Sequence, residues 1–120
     1  MIVATGIDLV DVERFRRVMG RWGERFLRRV FTPGEIEYSQ SKRFPHLSFA
    51  ARFAAKEAVR KALDRPMAWR SIEVVNKSSG KPSIKLASGS VGSIVVSLSH
   101  TREHALAQAI LVEDERGKRR

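Results

Sequence analysis

Two carboxylates in this sequence have positions that suit a metal ion next to an anionic ligand. Glu57 lies on an apolar row of a predicted helix, beside a basic ridge formed by Arg52, Lys56 and Arg60. Asp8 lies in an apolar segment near the N-terminus, where its residue type is uncommon. Mg²⁺ in proteins commonly takes one or two carboxylates and completes its shell with waters and substrate phosphates. Asp8 and Glu57 are therefore candidate metal ligands, although the sequence alone does not show that they meet.

Both carboxylates also have an ordinary structural interpretation. Glu57 and Lys61 have the i,i+4 spacing of a solvated ion pair, which stabilises a helix by roughly 0.2–0.5 kcal/mol. Most charges on helix surfaces form pairs of this kind. Asp8 could accept hydrogen bonds from a loop near the end of its strand. From the residue types and spacing alone, the metal site and these structural roles both remain open.

The helix that carries Glu57 is predicted over residues 49–63, which are rich in Ala and contain no Gly or Pro. Ser48 is its candidate N-cap. We expect it to end near residues 64–66, because Pro66 cannot continue a helix. The helix is the longest predicted element and the one that the rest of the chain must position.

The remaining elements follow from hydrophobic patterns and turn residues. Thr32 and Glu35 have the spacing of a capping box, with Pro33 at the first helical position, and this predicts a helix start. Strands are predicted over 2–10, 72–75, 83–86, 94–99 and 104–112, and two short helices over 12–18 and 22–30 around two glycines. The order predicts a single α+β domain over 1–120, with a mostly antiparallel sheet, a long central helix and a frayed tail at 113–120.

The charge and composition limit the kinds of partner that the protein can bind and the cellular compartment in which we expect it. The formal net charge is +10 at pH 7, which favours an anionic partner: nucleic acid, an acidic protein or a phosphorylated small molecule. The sequence has no Cys, which excludes disulfides and thiolate metal sites. It has no apolar segment long enough to span a bilayer, and its first residues lack the basic region of a secretory signal. We therefore expect a cytoplasmic protein.

Arginines recur at steps of three and four residues in the predicted N-terminal helices. They are Arg14, Arg17, Arg21, Arg25 and Arg28. This spacing keeps several of them on one exposed side. A solubilising surface is the usual meaning of such charges, but a face of nearly pure Arg repels itself unless an anionic partner docks on it.

Other catalytic patterns are weak or absent in the sequence. No Gly-rich phosphate loop, HExxH or GxSxG motif occurs. His100 and His104 are close in sequence, but a turn is expected between them, so their side chains need not converge. As a zinc-binding pair they are a weak candidate.

Several motifs, taken together, resemble the bacterial holo-acyl carrier protein synthase family, the small class of 4′-phosphopantetheinyl transferases. The motifs are GIDLVDVERF, FTPGE, RFAAKEAVRKAL, and SLSH followed by AQAIL. They occur in the family's order over nearly the whole chain, from Ile2 to Val112. The pairing of GIDLV with FAAKEAxxKA is specific, whereas either motif alone would be a moderate signal.

The resemblance implies an enzyme that transfers the 4′-phosphopantetheine arm of coenzyme A to a serine of apo-acyl carrier protein. The second product is adenosine 3′,5′-bisphosphate. The resemblance also implies a requirement for Mg²⁺ and a homotrimer with active sites between subunits. The acidic carrier protein and coenzyme A would then be the anionic partners that the charge predicts, with no role for nucleic acid or membrane.

The resemblance assigns roles to individual residues. Asp8 and Glu57 match the family's metal-binding acids, and Lys61 matches a basic residue at the reacting phosphate. The coenzyme A contacts that it implies are Arg52, Lys81, Pro82, His100 and Thr101. The carrier-protein contacts that it implies are Arg14, Arg21, Arg25 and Arg28. Glu57 could accept the serine proton directly or through a metal-bound water, and the sequence does not choose between the two.

The sequence departs from the family's pattern at three places. Asp64 stands where the family usually has Gly, and Asn76–Lys77 stands where it usually has Asn-Asp. A short helix expected before the SLSH segment is reduced to residues 88–93.

Two other function classes also fit the charge: a basic RNA-binding domain, for which no RNA-recognition motif is visible, and a non-catalytic module that binds carrier protein. The presence of Asp8, Glu57 and Lys61 argues against the second.

Overall fold

The computed structural model of the chain describes residues 1–89 and 93–113. Its elements in chain order are β1 (Ile2–Asp11), α1 (Val12–Val30), α2 (Pro33–Gln40), α3 (Pro45–Leu63), a 3₁₀ turn (Trp69–Ser71), β2 (Ile72–Asn76), β3 (Pro82–Leu86), β4 (Ser93–His100) and β5 (His104–Val112). One strand, a helical middle and four further strands confirm the predicted α+β class. In the part of the chain that is described, no helix is long and apolar enough to cross a membrane.

The strands form two separate antiparallel sheets rather than the single sheet that was predicted. β1, β5 and β4 form a three-stranded sheet in that order, and β2 pairs with β3 in a hairpin. Asp8 on β1 lies opposite Ala107 on β5, and His100 on β4 lies opposite Ala105. β5 therefore separates the strand that carries Asp8 from the strand that carries His100.

Small residues let α3 approach the three-stranded sheet closely. Ala54 and Ala58 on the helix and Ala107 on β5 are fully buried. A Cβ added to Gly6 of β1 would lie 1.9 Å from the carbonyl oxygen of Ala58. Only glycine fits at that position, and this close contact sets the distance between β1 and α3. This contact places Asp8, two residues further along the strand, beside α3.

A glycine interrupts α1, but the break lies at residue 23 rather than between residues 18 and 22, where the two short helices were predicted to separate. Gly23 has φ 61° and ψ −142°, which are not helical values, and this kinks the element. Gly20 remains within the first segment. The break that was predicted around the two glycines is therefore real, but Gly23 alone produces it.

The predicted capping box is present at the start of α2. Thr32 Oγ1 accepts from the Glu35 backbone N–H at 3.3 Å, and Glu35 Oε1 accepts from the Thr32 backbone N–H at 2.8 Å. The prediction that Ser48 caps the next helix is wrong. α3 begins at Pro45, three residues before Ser48. The Ser48 Oγ instead forms a 2.8 Å hydrogen bond with Ser39 Oγ.

The two chain ends that the structure describes are paired with each other. The Glu113 backbone N–H donates to the Met1 carbonyl at 3.0 Å, and the Met1 amino group donates to the Glu113 carbonyl at 2.8 Å. The first residue of the expected frayed tail is therefore held in place. Residues 114–120 lie outside the described part, as do residues 90–92 of the shortened segment before β4.

Candidate functional site

Asp8 and Lys61 meet where β1 packs on α3. Lys61 Nζ lies 3.2 Å from Asp8 Oδ1 and donates to the Ile7 carbonyl at 2.8 Å. Two side chains that are 53 residues apart in sequence are thus in direct contact. Lys61 binds Asp8 rather than Glu57, so the predicted i,i+4 ion pair between Glu57 and Lys61 is wrong.

Glu57 is held through one of its two oxygens. Its Oε1 accepts from Arg60 Nη1 at 3.0 Å and from the Trp69 indole N–H at 2.5 Å. The Glu57 side chain is 24% exposed and that of Arg60 is 30% exposed, so both lie at the edge of solvent. Arg60, one turn along the helix, takes the role that the spacing gave to Lys61.

The Asp8 carboxyl lies in a partly desolvated place. Its side chain is 17% exposed, and burial raises its pKa above the usual value. The hydrogen bond and positive charge of Lys61 lower the pKa, and the negative charge of Glu57 raises it. The charge of Glu57 is thus close enough to affect Asp8, and the two carboxylates repel each other.

The unpaired oxygens of these carboxylates suit a hard cation. In the described residues, Asp8 Oδ1 and Glu57 Oε1 accept hydrogen bonds, whereas Asp8 Oδ2 and Glu57 Oε2 accept none. No group of three or more His, Cys, Asp or Glu residues that could hold a metal occurs in that part of the chain. Two carboxylates without a third protein ligand fit Mg²⁺, which retains waters and takes substrate oxygens, better than they fit zinc.

A separate cavity of about 570 Å³ contains four of the five residues expected to contact coenzyme A. Arg52 lines it from α3, Lys81 from the turn before β3, Pro82 from the start of β3, and His100 from the end of β4. Thr101 does not line this cavity. Its Oγ1 instead accepts from the Glu103 and His104 backbone N–H groups, so Thr101 shapes the turn between β4 and β5.

Arg52 is fixed at the wall of this cavity by β2. It is 4% exposed, donates to the Val74 carbonyl at 2.7 Å and also donates to Asn76 Oδ1. Its guanidinium stacks 3.9 Å from the centre of the Tyr38 ring. Its Nε is buried without a hydrogen-bond partner. Much of the hydrogen-bonding capacity of Arg52 is therefore used inside the protein, and Asn76 is one of its partners.

The basic ridge expected beside Glu57 is not a surface feature. Lys56 is fully buried, 2.7 Å from Glu35 Oε1, and it donates to the carbonyls of Trp69 at 2.9 Å and Ile72 at 2.5 Å. Arg52 is buried as well, so only Arg60 of the three reaches solvent. Helical spacing placed the three cations in a row correctly, but it could not show that β2 and α2 pack over two of them.

Sequence reasoning missed several residues at both places. Tyr38, Lys42, Arg43 and Phe44 line the cavity, and Trp69 binds Glu57. The adjacent cations Lys42 and Arg43 were a usable signal, since two neighbouring positive charges favour an anionic ligand such as a phosphate. Nothing in the sequence indicated that the Trp69 indole would reach a carboxylate on another element.

The predicted arginine face is exposed but not continuous. All five arginines are exposed in the described chain. Arg17 lies 3.8 Å from Glu13, and Arg28 lies 3.3 Å from Glu24. The kink at Gly23 divides the face, because the helix changes direction there. It forms two basic patches, one on each segment of α1.

Comparisons with known proteins identify the family of this chain. A family model described as the 4′-phosphopantetheinyl transferase superfamily matches residues 4–109. The chain belongs to this superfamily. A holo-(acyl-carrier-protein) synthase of Thermodesulfovibrio yellowstonii is 45% identical over 115 residues, covering 92% of this chain and 99% of the relative. Another, from Chlorobium limicola, is 41% identical over 114 residues, covering 88% and 90%.

Solved structures of synthases in this superfamily have the same fold. The Bacillus anthracis holo-(acyl-carrier-protein) synthase, in complex with CoA (3′,5′-ADP), has a TM-score of 0.84 and 30% identity, covering 95% of this chain and 99% of that one. The Mycobacterium tuberculosis acyl carrier protein synthase has a TM-score of 0.75 and 36% identity, covering 95% and 100%. The family resemblance and the prediction of a phosphopantetheinyl transferase enzyme are confirmed.

Proposed function

We propose that the protein transfers 4′-phosphopantetheine from coenzyme A to a serine hydroxyl of an acidic apo-acyl carrier protein, with Mg²⁺, in the cytoplasm. The observation that carries the proposal is the cavity in which Arg52, Lys81 and His100 converge from three separate parts of the chain. A basic pocket of this size suits a nucleotide that carries several phosphates. Relatives with the same fold have been solved with coenzyme A bound.

Asp8 and Glu57 would hold the magnesium ion through the oxygens that the protein leaves unpaired. When bound, the ion would supply positive charge to the pyrophosphate oxygens and to the charge that develops on the departing bisphosphate. The contact with Lys61 orients the Asp8 carboxylate. The contacts with Arg60 and Trp69 orient the Glu57 carboxylate.

The chain's own residues would do the rest of the chemistry. The serine oxygen forms a bond to the phosphorus that carries the pantetheine arm, and the bond from that phosphorus to adenosine 3′,5′-bisphosphate breaks. Lys61, a compact cation at the same place, would stabilise or protonate the departing phosphate oxygen. The serine proton goes to a base in the site, for which Glu57 is the candidate.

The positions of Arg52 and Lys61 on α3 support sites that are shared between subunits. At about 100° per residue, a separation of nine positions puts two residues on opposite faces of a helix. Lys61 faces the flank where Asp8 lies, and Arg52 faces β2. One chain therefore supplies the cavity at one flank and the carboxylates at the other, and a complete site needs a neighbouring chain.

The sheet face turned away from α3 offers a surface for that neighbour. Ile7 is 57% exposed and Leu9 62% on β1, with Val95 on β4 and Leu106 on β5 exposed beside them. These residues alternate with the buried ones along each strand, so they lie on one exposed face of the sheet, which also carries Ser97 and Gln108. We propose that this face is covered in a homotrimer, with the basic patches of α1 left free for the carrier protein.

Ligand-induced stabilisation tests the choice of function. Coenzyme A with Mg²⁺ is expected to raise the melting temperature, because a ligand that binds only the folded state stabilises it. RNA of comparable charge is expected to give no saturable increase. Stabilisation by RNA but not by coenzyme A would overturn the proposal in favour of a basic RNA-binding domain.

Mixing variants tests the shared site. An Asp8→Asn protein and a Lys81→Ala protein carry their defects on different flanks of the chain. Mixed oligomers are expected to recover part of the activity, since some sites then combine an intact carboxylate pair with an intact cavity. No recovery, with subunit exchange demonstrated by a tagged chain, would show that each site belongs to one chain.

A further inference from the structure

The indole of Trp69 donates a hydrogen bond to the same Glu57 oxygen that Arg60 contacts. The distances to Oε1 are 2.5 Å from Trp69 Nε1 and 3.0 Å from Arg60 Nη1. We propose that Trp69 is a positioning residue that fixes Oε1 and turns Oε2 of Glu57 toward the magnesium ion. This inference rests on the proposed function, in which Glu57 and Asp8 hold that ion.

Trp69 is itself held firmly by α3, so it can act as a fixed point. Its carbonyl accepts a hydrogen bond from the buried Lys56 Nζ at 2.9 Å. Its ring packs on Phe53 with centroids 6.1 Å apart, and the Arg60 guanidinium lies 5.2 Å from the ring centre. The residue thus contacts three successive turns of the helix that carries Glu57. Its indole N–H cannot move without disturbing these contacts.

The second donor prevents a competing arrangement of the carboxylate. An Arg guanidinium and a carboxylate tend to form two parallel hydrogen bonds, which would use both oxygens of Glu57. The terminal torsion of a Glu side chain is soft, so Arg60 alone could pull the carboxylate into that geometry. With the indole bound to Oε1, Arg60 contacts Oε1 only, and Oε2 remains available for the cation.

An indole suits this role because it only donates. The Trp N–H has no acceptor capacity, so it cannot reverse its bond and compete for the metal. It also carries no charge, so it orients the carboxylate without neutralising it as a second cation would. Partners that orient metal ligands in this way commonly contribute about 10- to 100-fold to metal affinity.

Trp69→Phe removes the donor and keeps an aromatic ring for Phe53 and Arg60. We expect the Mn²⁺ affinity, measured by titration calorimetry with coenzyme A present, to fall about tenfold, with the melting temperature close to that of the wild type. Trp22→Phe is the matched control, because Trp22 is exposed and its ring lies beside the Arg21 guanidinium. It should bind Mn²⁺ as the wild type does, and Glu57→Gln should lose the protein-dependent binding.

A second variant separates positioning from simple packing. If Arg60 captures both oxygens once the indole is gone, Trp69→Phe/Arg60→Met should regain most of the lost Mn²⁺ affinity. The Trp69→Phe enzyme should also approach wild-type turnover at high Mg²⁺, so that the metal requirement changes more than the maximal rate. A packing defect would produce neither recovery.

Two further outcomes keep this proposal distinct from the proposed function. Wild-type transferase activity with equal Mn²⁺ affinity in Trp69→Phe would overturn the role of Trp69 and leave the function intact. A wild-type protein without transferase activity would overturn both. If Trp69→Phe does not fold, the Trp22→Phe protein has Trp69 as its single tryptophan; its emission should then change saturably with Mn²⁺, and an unchanged emission would contradict the proposal.

Discussion

Asp8 and Lys61 form a contact of 3.2 Å between the first strand and α3, and the carboxylate keeps one oxygen unpaired within the described residues. The pair joins the GIDLV segment of β1 to the Ala-rich helix α3, 53 residues further along the chain. It also places the negative charge of Glu57 near Asp8 without any direct bond between the acids. This relationship supports a cation between them.

Asp8→Asn and Glu57→Gln should each abolish most turnover and leave the fold intact. Burial and the charge of Glu57 raise the pKa of Asp8, so its ionised form costs stability at neutral pH. Without metal, Asp8→Asn should therefore melt no lower than the wild type at pH 7. The difference should shrink as the pH falls through the raised pKa of Asp8, because the wild-type carboxyl is then neutral as well. Thermal melts across pH, with Mg²⁺ titrations of turnover, check both parts; wild-type metal dependence in either variant would remove that residue from the site.

Lys56 and Glu35 should behave as a structural pair. Both side chains are fully buried and 2.7 Å apart. Lys56→Met leaves the carboxylate of Glu35 buried without its cation, with the backbone N–H groups of Thr32 and Val74 as its remaining donors. Removing one partner of a buried ion pair commonly costs about 3–5 kcal/mol. Lys56→Met/Glu35→Gln should recover part of this loss, because no unpaired charge then remains. Denaturant unfolding of the two variants gives the comparison, and equal stability of Lys56→Met and wild type would refute the pairing.

Lys81 and Arg52 should differ in what they contribute to the cavity. Lys81 is exposed, so Lys81→Ala is expected to raise the coenzyme A KM with no change in melting temperature. Arg52 also bonds β2, so Arg52→Ala should raise the KM and lower stability, by about 1.5–3 kcal/mol for each charged hydrogen bond lost. Steady-state kinetics and unfolding of each variant test this. If 3′-dephospho-coenzyme A serves as well as coenzyme A, neither residue recognises the 3′-phosphate.

The arginines of α1 should affect the carrier protein and not the coenzyme. Reversing Arg14 and Arg21 to Glu replaces attraction with repulsion for an acidic partner on the exposed first segment. The carrier-protein KM should rise far more than the coenzyme A KM, and its dependence on salt should weaken. The same reversal at Arg16, on another side of that segment and paired with Glu13, is the control. An unchanged carrier-protein KM would show that the partner docks elsewhere.

Local patterns in the sequence predicted most of the elements. The capping box of Thr32 and Glu35, the Ala-rich helix and the alternating strands depend on neighbours within a few residues, and the structure contains each of them. The predicted start of α3 was wrong, because the helix begins with Pro45 in its first turn and not with a side-chain cap at Ser48. The division into two sheets depends on long-range packing, which residue patterns do not contain.

The residues of the candidate site were predictable only in part for the same reason. The family resemblance singled out Asp8, Glu57 and Lys61, and the structure brings them together. Spacing alone paired Glu57 with Lys61, because it could not show that β1 offers Lys61 another carboxylate. Asp64 has a left-handed backbone conformation, with φ 52°, which disfavours a side chain and suits the Gly that the family resemblance implies at this position.

The most direct measurement is the mass of an apo-acyl carrier protein incubated with this protein, coenzyme A and Mg²⁺. The central claim is that the carboxylates at β1 and α3 and the basic cavity together perform phosphopantetheine transfer. It predicts that the carrier protein gains the mass of one phosphopantetheine group on its serine, and that the Asp8→Asn protein under the same conditions leaves it largely unmodified. An unmodified carrier protein with the wild-type enzyme, or full modification with Asp8→Asn, would contradict the account.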